Sequence, residues 1–106
     1  MCYQNNVGER KLVKTMEDFI LDVGCGENAK GNVNIDQYVP KKIPANFILC
    51  SAEKLPFRKA SFGCVRNSYV IEHLIDPVKF INECTIIATE KVVIITDNCD
   101  WVGVLF

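Results

Sequence analysis

An apolar run that ends in a glycine turn, followed by an acidic residue at the end of a second short run, carries the strongest chemical signal in the sequence. The first part is Ile20-Leu21-Asp22-Val23-Gly24-Cys25-Gly26 and the second is Asn34-Ile35-Asp36. Glycines at the carboxyl end of a first strand let a ligand approach the backbone, and an acidic side chain ending the second strand accepts both hydroxyl hydrogens of a ribose. Together they read as a nucleoside-cofactor site; the plainer reading is a tight turn and a solvated Asp. Gly24-Cys25-Gly26-Glu27-Asn28-Ala29 also satisfies G-x-G-x-x-G/A. That dinucleotide pattern requires a helix under the pyrophosphate and an acidic residue about 20 positions on. Asp36 comes too early and the helix has no room, so the dipole that favours a pyrophosphate is missing. A cofactor without phosphates suits this loop better.

His73 is the sole histidine, and its near-neutral pKa suits a general base. Its block, Glu72-His73-Leu74-Ile75-Asp76-Pro77, equally suits the organisation of a helix start, and Glu72 shares the ambiguity. Six cysteines are present (Cys2, Cys25, Cys50, Cys64, Cys84, Cys99), with no C-x-x-C pair. Zinc is not expected from that spacing, and several of these thiols sit in apolar runs where cysteine behaves as a small hydrophobe.

The elements that must position these groups alternate between strand and helix. Strands are predicted at Phe19–Val23, Asn32–Asp36, Asn46–Cys50, Phe62–Asn67 and Lys91–Thr96, several as continuous β-branched runs suited to a covered parallel sheet. A short amphipathic helix is predicted over Gly8–Phe19. A stronger one starts at Asp76 as N-cap and Pro77, with Val78, Ile81, Thr85 and Ala88 on one face and Phe80, Cys84 and Ile87 beside it. The first two strands are joined by too few residues for a crossover helix, so the chain must return in an extended loop or single turn.

Composition narrows the partners. The chain has 106 residues, 49% of them hydrophobic, and 12 Lys+Arg against 13 Asp+Glu give a formal charge of −1. One globular α/β domain over residues 1–106 is expected. That charge offers no attraction for nucleic acid or anionic lipid. No apolar run approaches the roughly 20 residues that span a bilayer, and no secretory signal is apparent, so a cytoplasmic protein with reduced thiols is expected. The apolar tail Trp101–Phe106 can fold back as an edge strand, cover an exposed face or begin a further element. As an uncovered edge it would favour a homodimer or a partner chain.

Several blocks in order resemble the motifs of class I S-adenosylmethionine-dependent methyltransferases of the small-molecule type. They are Asp22-Val23-Gly24-Cys25-Gly26, Asp36, Ser51-Ala52-Glu53-Lys54-Leu55-Pro56-Phe57, Ser61-Phe62-Gly63-Cys64-Val65 and Glu72-His73-Leu74-Ile75-Asp76-Pro77. The resemblance implies a Rossmann-like three-layer fold with strand order 3-2-1-4-5 and S-adenosylmethionine as cofactor. It implies that Gly24, Cys25 and Gly26 lie along the methionine portion, with Asp22 near the ammonium group and Asp36 on the ribose hydroxyls. Ser51, Ala52 and Glu53 would border the adenine, and Asn67 and Ser68 would face the methionine end and the substrate. Leu55, Pro56 and Phe57 are expected to pack a loop over the site.

The chain departs from that pattern at Ser51, where the family usually has an acidic residue, and at Gly63, where it usually has Asp. The family's sheet has seven strands, whereas five are predicted here. The expected function is methyl transfer to a small molecule. The alternative is a truncated or non-catalytic methyltransferase-like module that binds the cofactor weakly or not at all, or acts with a partner chain, and a nicotinamide-linked enzyme stands third.

Overall fold

A computed structural model describes residues 19–96 and the backbone of residues 102–104. The strands are β1 (Ile20–Val23), β2 (Val33–Asp36), β3 (Phe47–Leu49), β4 (Phe62–Ser68), β5 (Ala88–Ile95) and β6 (Val102–Val104). Their order across the sheet is β3-β2-β1-β4-β5-β6. Neighbours from β3 to β5 are parallel, and β6 runs antiparallel to β5. The fold is the expected Rossmann-like α/β arrangement with order 3-2-1-4-5. Of the roles open to the C-terminal tail, Val102–Val104 takes that of an edge strand. The helix expected from Gly8 lies outside the described residues. Among the described residues no helix is long and apolar enough to cross a membrane.

The return from β1 to β2 contains no helix, as the short spacing required. Side chains replace the missing helix as the scaffold. The Lys30 N–H donates to Asp22 Oδ2 at 2.8 Å, and the Ile20 N–H donates to Asn32 Oδ1 at 2.7 Å. Asn34 is 2% exposed, and its amide is satisfied on both sides. Oδ1 accepts the Gly31 N–H at 2.8 Å, while Nδ2 donates to the Gly31 and Ala45 carbonyls, both at 3.0 Å. Gly31 is needed for close approach, because a Cβ there would meet the Asp22 nitrogen at 2.8 Å and the Ile20 oxygen at 2.9 Å.

The pairing register sorts the two faces of the sheet. Leu21, Val33, Val65 and Val92 align across it, as do Val23, Ile35, Asn67 and Ile94 one row higher. Alternation puts these on one side, where they form the core with helix α1 (Pro77–Ile87). The other side carries a polar row, Asn34, Asp22 and Arg66, through the middle of the sheet.

Helix α1 begins where its sequence signals stand: Asp76 Oδ1 accepts the Lys79 N–H at 3.0 Å and Pro77 occupies the first turn. The buried face is Phe80, Cys84 and Ile87, whereas Val78 of the predicted row is 65% exposed. The large Phe80 ring decides which stripe turns inward. Ala88, predicted on the helix, is extended instead (φ −86°, ψ 144°) and opens β5. It pairs with Phe62 across a register shift between Phe62 and Cys64, at the intervening Gly63. A glycine inside a strand marks such a bulge. Leu55 and Phe57 pack against the core, Phe57 edge-on to Phe62 at 5.2 Å.

Candidate functional site

One residue beyond the Ile35, Val23 and Asn67 pairing stand Asp36, Gly24 and Ser68, at or just past the carboxyl ends of β2, β1 and β4. All three line a cavity of about 260 Å³. The segment after β3 supplies Ser51, Ala52 and Glu53 to the same cavity, and the segment after β4 supplies Tyr69, Val70, His73 and Leu74. Glu53 ties these two segments together, its Oε2 accepting the Ile75 N–H at 3.0 Å, while within the first segment Ser51 Oγ accepts the Glu53 N–H at 3.0 Å.

The Asp36 carboxylate is oriented by backbone. Oδ2 accepts the Gly26 N–H at 2.9 Å and Oδ1 accepts the Tyr38 N–H at 3.1 Å. Each carboxylate oxygen keeps a further lone pair, so a vicinal diol can still donate to it. The glycine turn makes this possible. Gly24 and Gly26 take φ of +70° and +55°, and the Gly24 and Cys25 N–H groups both donate to the Ile35 carbonyl at 2.9 Å. A Cβ on Gly24 would overlap Val70 Cγ2, while a Cβ on Gly26 would meet nothing within 4 Å.

Asp22, Cys25, Gly26 and Asn67 do not line the cavity. Asp22 is 3% exposed, with Oδ1 lying 3.8 Å from Arg66 Nε and Oδ2 taking the Lys30 N–H. Burial raises its pKa above the ordinary Asp value against those partners. Cys25 is buried beneath the turn, and its thiol is pushed up to about 11 by burial and by the Asp36 and Asp22 carboxylates. Asn67 is fully buried on the core face and donates from Nδ2 to the Val93 carbonyl at 3.4 Å; its Oδ1 has no partner.

His73 ends a 3-10 turn, Ile71–His73, and is exposed on the cavity wall. Two wall residues were not foreseen from the sequence. Tyr69 has φ +59°, a conformation that costs a non-glycine residue roughly 1–2 kcal/mol, and its N–H is held by the Ile95 carbonyl at 2.8 Å. Nothing in the string announces a left-handed tyrosine. Tyr38, 73% exposed, follows the strand-ending Asp36 closely, and that proximity was the available signal.

A mainly parallel sheet whose cavity opens over the carboxyl ends where the strand order reverses, with an acid closing β2, defines a Rossmann-like α/β domain with a cavity at its topological switch point. Residues 27–95 match the family model described as a methyltransferase domain. The chain belongs to that family, as a class I methyltransferase domain. The match includes Asp36, Ser51–Glu53, Asn67, Ser68 and His73 and begins just after the Gly24-Cys25-Gly26 turn. No curated protein and no solved structure matches the chain.

Proposed function

We propose that this domain binds S-adenosylmethionine in the cavity over β1, β2 and β4 and transfers its methyl group to a small molecule. The observation that carries the reading is Asp36: a carboxylate fixed by the Gly26 and Tyr38 N–H groups on the cavity wall. It is suited to the two hydroxyls of a ribose. The absence of a helix between β1 and β2 speaks for a ligand without a pyrophosphate.

The other residues fit the same ligand. Ser51, Ala52 and Glu53 would border the adenine, and Val23, Ile35, Cys50 and Leu74 offer apolar walls for a flat ring. Gly24 and Ser68 would flank the amino-acid end. Asp22 and Gly26 support the site from beneath, Asp22 by holding Lys30 and Arg66, Gly26 by holding Asp36. When bound, the cofactor supplies a methyl already activated on a sulfonium. The protein then has to align an acceptor with that carbon, and His73 at the cavity wall would take the acceptor's proton where one must leave.

Titration calorimetry with S-adenosylmethionine and S-adenosylhomocysteine tests this reading. Asp36→Ala should weaken both by roughly tenfold or more, since hydrogen bonds to a charged group are worth about 1.5–3 kcal/mol each. A variant that binds as tightly as the parent, or a parent that prefers a nicotinamide dinucleotide, would overturn it.

A further inference from the structure

A chain of polar contacts leads from the polar side of the sheet up to the cavity. It starts at the buried Asp22 carboxylate, faces Arg66 across the β1–β4 pairing with Nε 3.8 Å from Oδ1, and ends where Arg66 Nη2 donates to Ser68 Oγ at 3.2 Å. Arg66 and Ser68 stand two apart in β4 and so share a face. The Arg66 side chain is 23% exposed, so its charge acts through a medium less screened than water.

A serine hydroxyl has one hydrogen and two lone pairs, and a guanidinium can only donate. Arg66 therefore occupies a lone pair of Ser68 and leaves its hydrogen to point elsewhere. Among the described residues no protein acceptor takes that hydrogen, and Ser68 lines the cavity.

We propose that Arg66 is a positioning residue, which fixes Ser68 as a hydrogen-bond donor toward a carboxylate of the bound ligand. The two ends of the Asp36, Gly24, Ser68 row have opposite chemistry. Asp36 accepts and takes hydroxyls; Ser68, backed by a cation, donates and takes an anionic oxygen. The inference rests on the cofactor reading given above: with the ribose at Asp36, the ligand group left for Ser68 is the carboxylate of the amino-acid moiety.

The test compares dissociation constants for S-adenosylhomocysteine and for 5′-methylthioadenosine, which keeps the nucleoside and lacks the carboxylate. Ser68→Ala should weaken S-adenosylhomocysteine roughly tenfold and leave 5′-methylthioadenosine unchanged. Arg66→Lys keeps a charge beside Asp22 but loses the guanidinium fork. It should reproduce the selective loss, and the double variant should be no worse than either single one. Should Arg66→Lys fail to fold, the Asp22→Asn/Arg66→Gln pair, which removes both charges together, replaces it in the cycle. Equal loss for both ligands, or no loss, overturns the carboxylate contact. Losses that multiply in the double variant overturn the role of Arg66 through Ser68. A parent that binds neither ligand overturns the cofactor reading itself and this inference with it.

Discussion

Val70 occupies the space that a side chain on Gly24 would need: a Cβ there would overlap the Val70 Cγ2 methyl, at a backbone φ of +70°. Gly26 shares the left-handed conformation but faces open space. Gly26→Ala should therefore cost about 1–2 kcal/mol from backbone alone, and Gly24→Ala should cost more, because Val70 must also move. Urea unfolding of the two variants checks the order. Equal losses would mean that Val70 yields freely.

The buried Asp22 carboxyl gives stability a specific pH dependence. Its pKa is raised in the fold, by burial first, so in the pH window between the unfolded and folded values the folded chain holds a proton that the unfolded chain has released. That contribution is complete below the unfolded value near 3.8 and is lost as pH rises through the folded one. Asp22→Asn has no such loss. Its stability relative to the parent should rise as pH increases from about 3 toward neutrality. Parallel urea midpoints across that range would contradict this.

Two thiols should be inert in the folded protein. Burial, chiefly, sends Cys25 to about 11 and Cys84 to about 12. At pH 8 roughly one molecule in a thousand or fewer then carries either thiolate. Iodoacetamide labelling read by mass spectrometry should spare both sites in buffer and modify them in urea. Rapid labelling of Cys25 in buffer would show that the glycine turn opens.

The helix predicts a contrast between neighbours. Phe80 is 2% exposed in the core and Val78 is 65% exposed. Phe80→Ala should cost about 3–5 kcal/mol, and Val78→Ala less than about 0.5 kcal/mol. Asp76→Ala should cost about 1 kcal/mol by removing the cap on the Lys79 N–H. Thermal melts of the three variants give the ranking.

The elements that could be read from the string were those with local causes. Asp76-Pro77 announces a helix start, and the apolar runs at Leu21 and Val92 announce buried strands, because capping and burial act over a few residues. The boundary at Ala88 was not readable, since it depends on pairing with Phe62 across the bulge at Gly63. The same limit applies in the site. Gly24 and Asp36 carry their geometry in their residue types. Arg66 becomes part of the arrangement only through the β1–β4 register that faces it to Asp22, and Tyr69 only through a backbone turn held by Ile95.

The backbone grip on Asp36 has an entropic meaning. Gly26 and Tyr38 hold both carboxylate oxygens before any ligand arrives. An acidic side chain that must be frozen on association loses about 0.5–1.5 kcal/mol of rotamer freedom. Here that ordering has already happened during folding, so a hydrogen-bond donor that meets Asp36 does not have to offset that loss again.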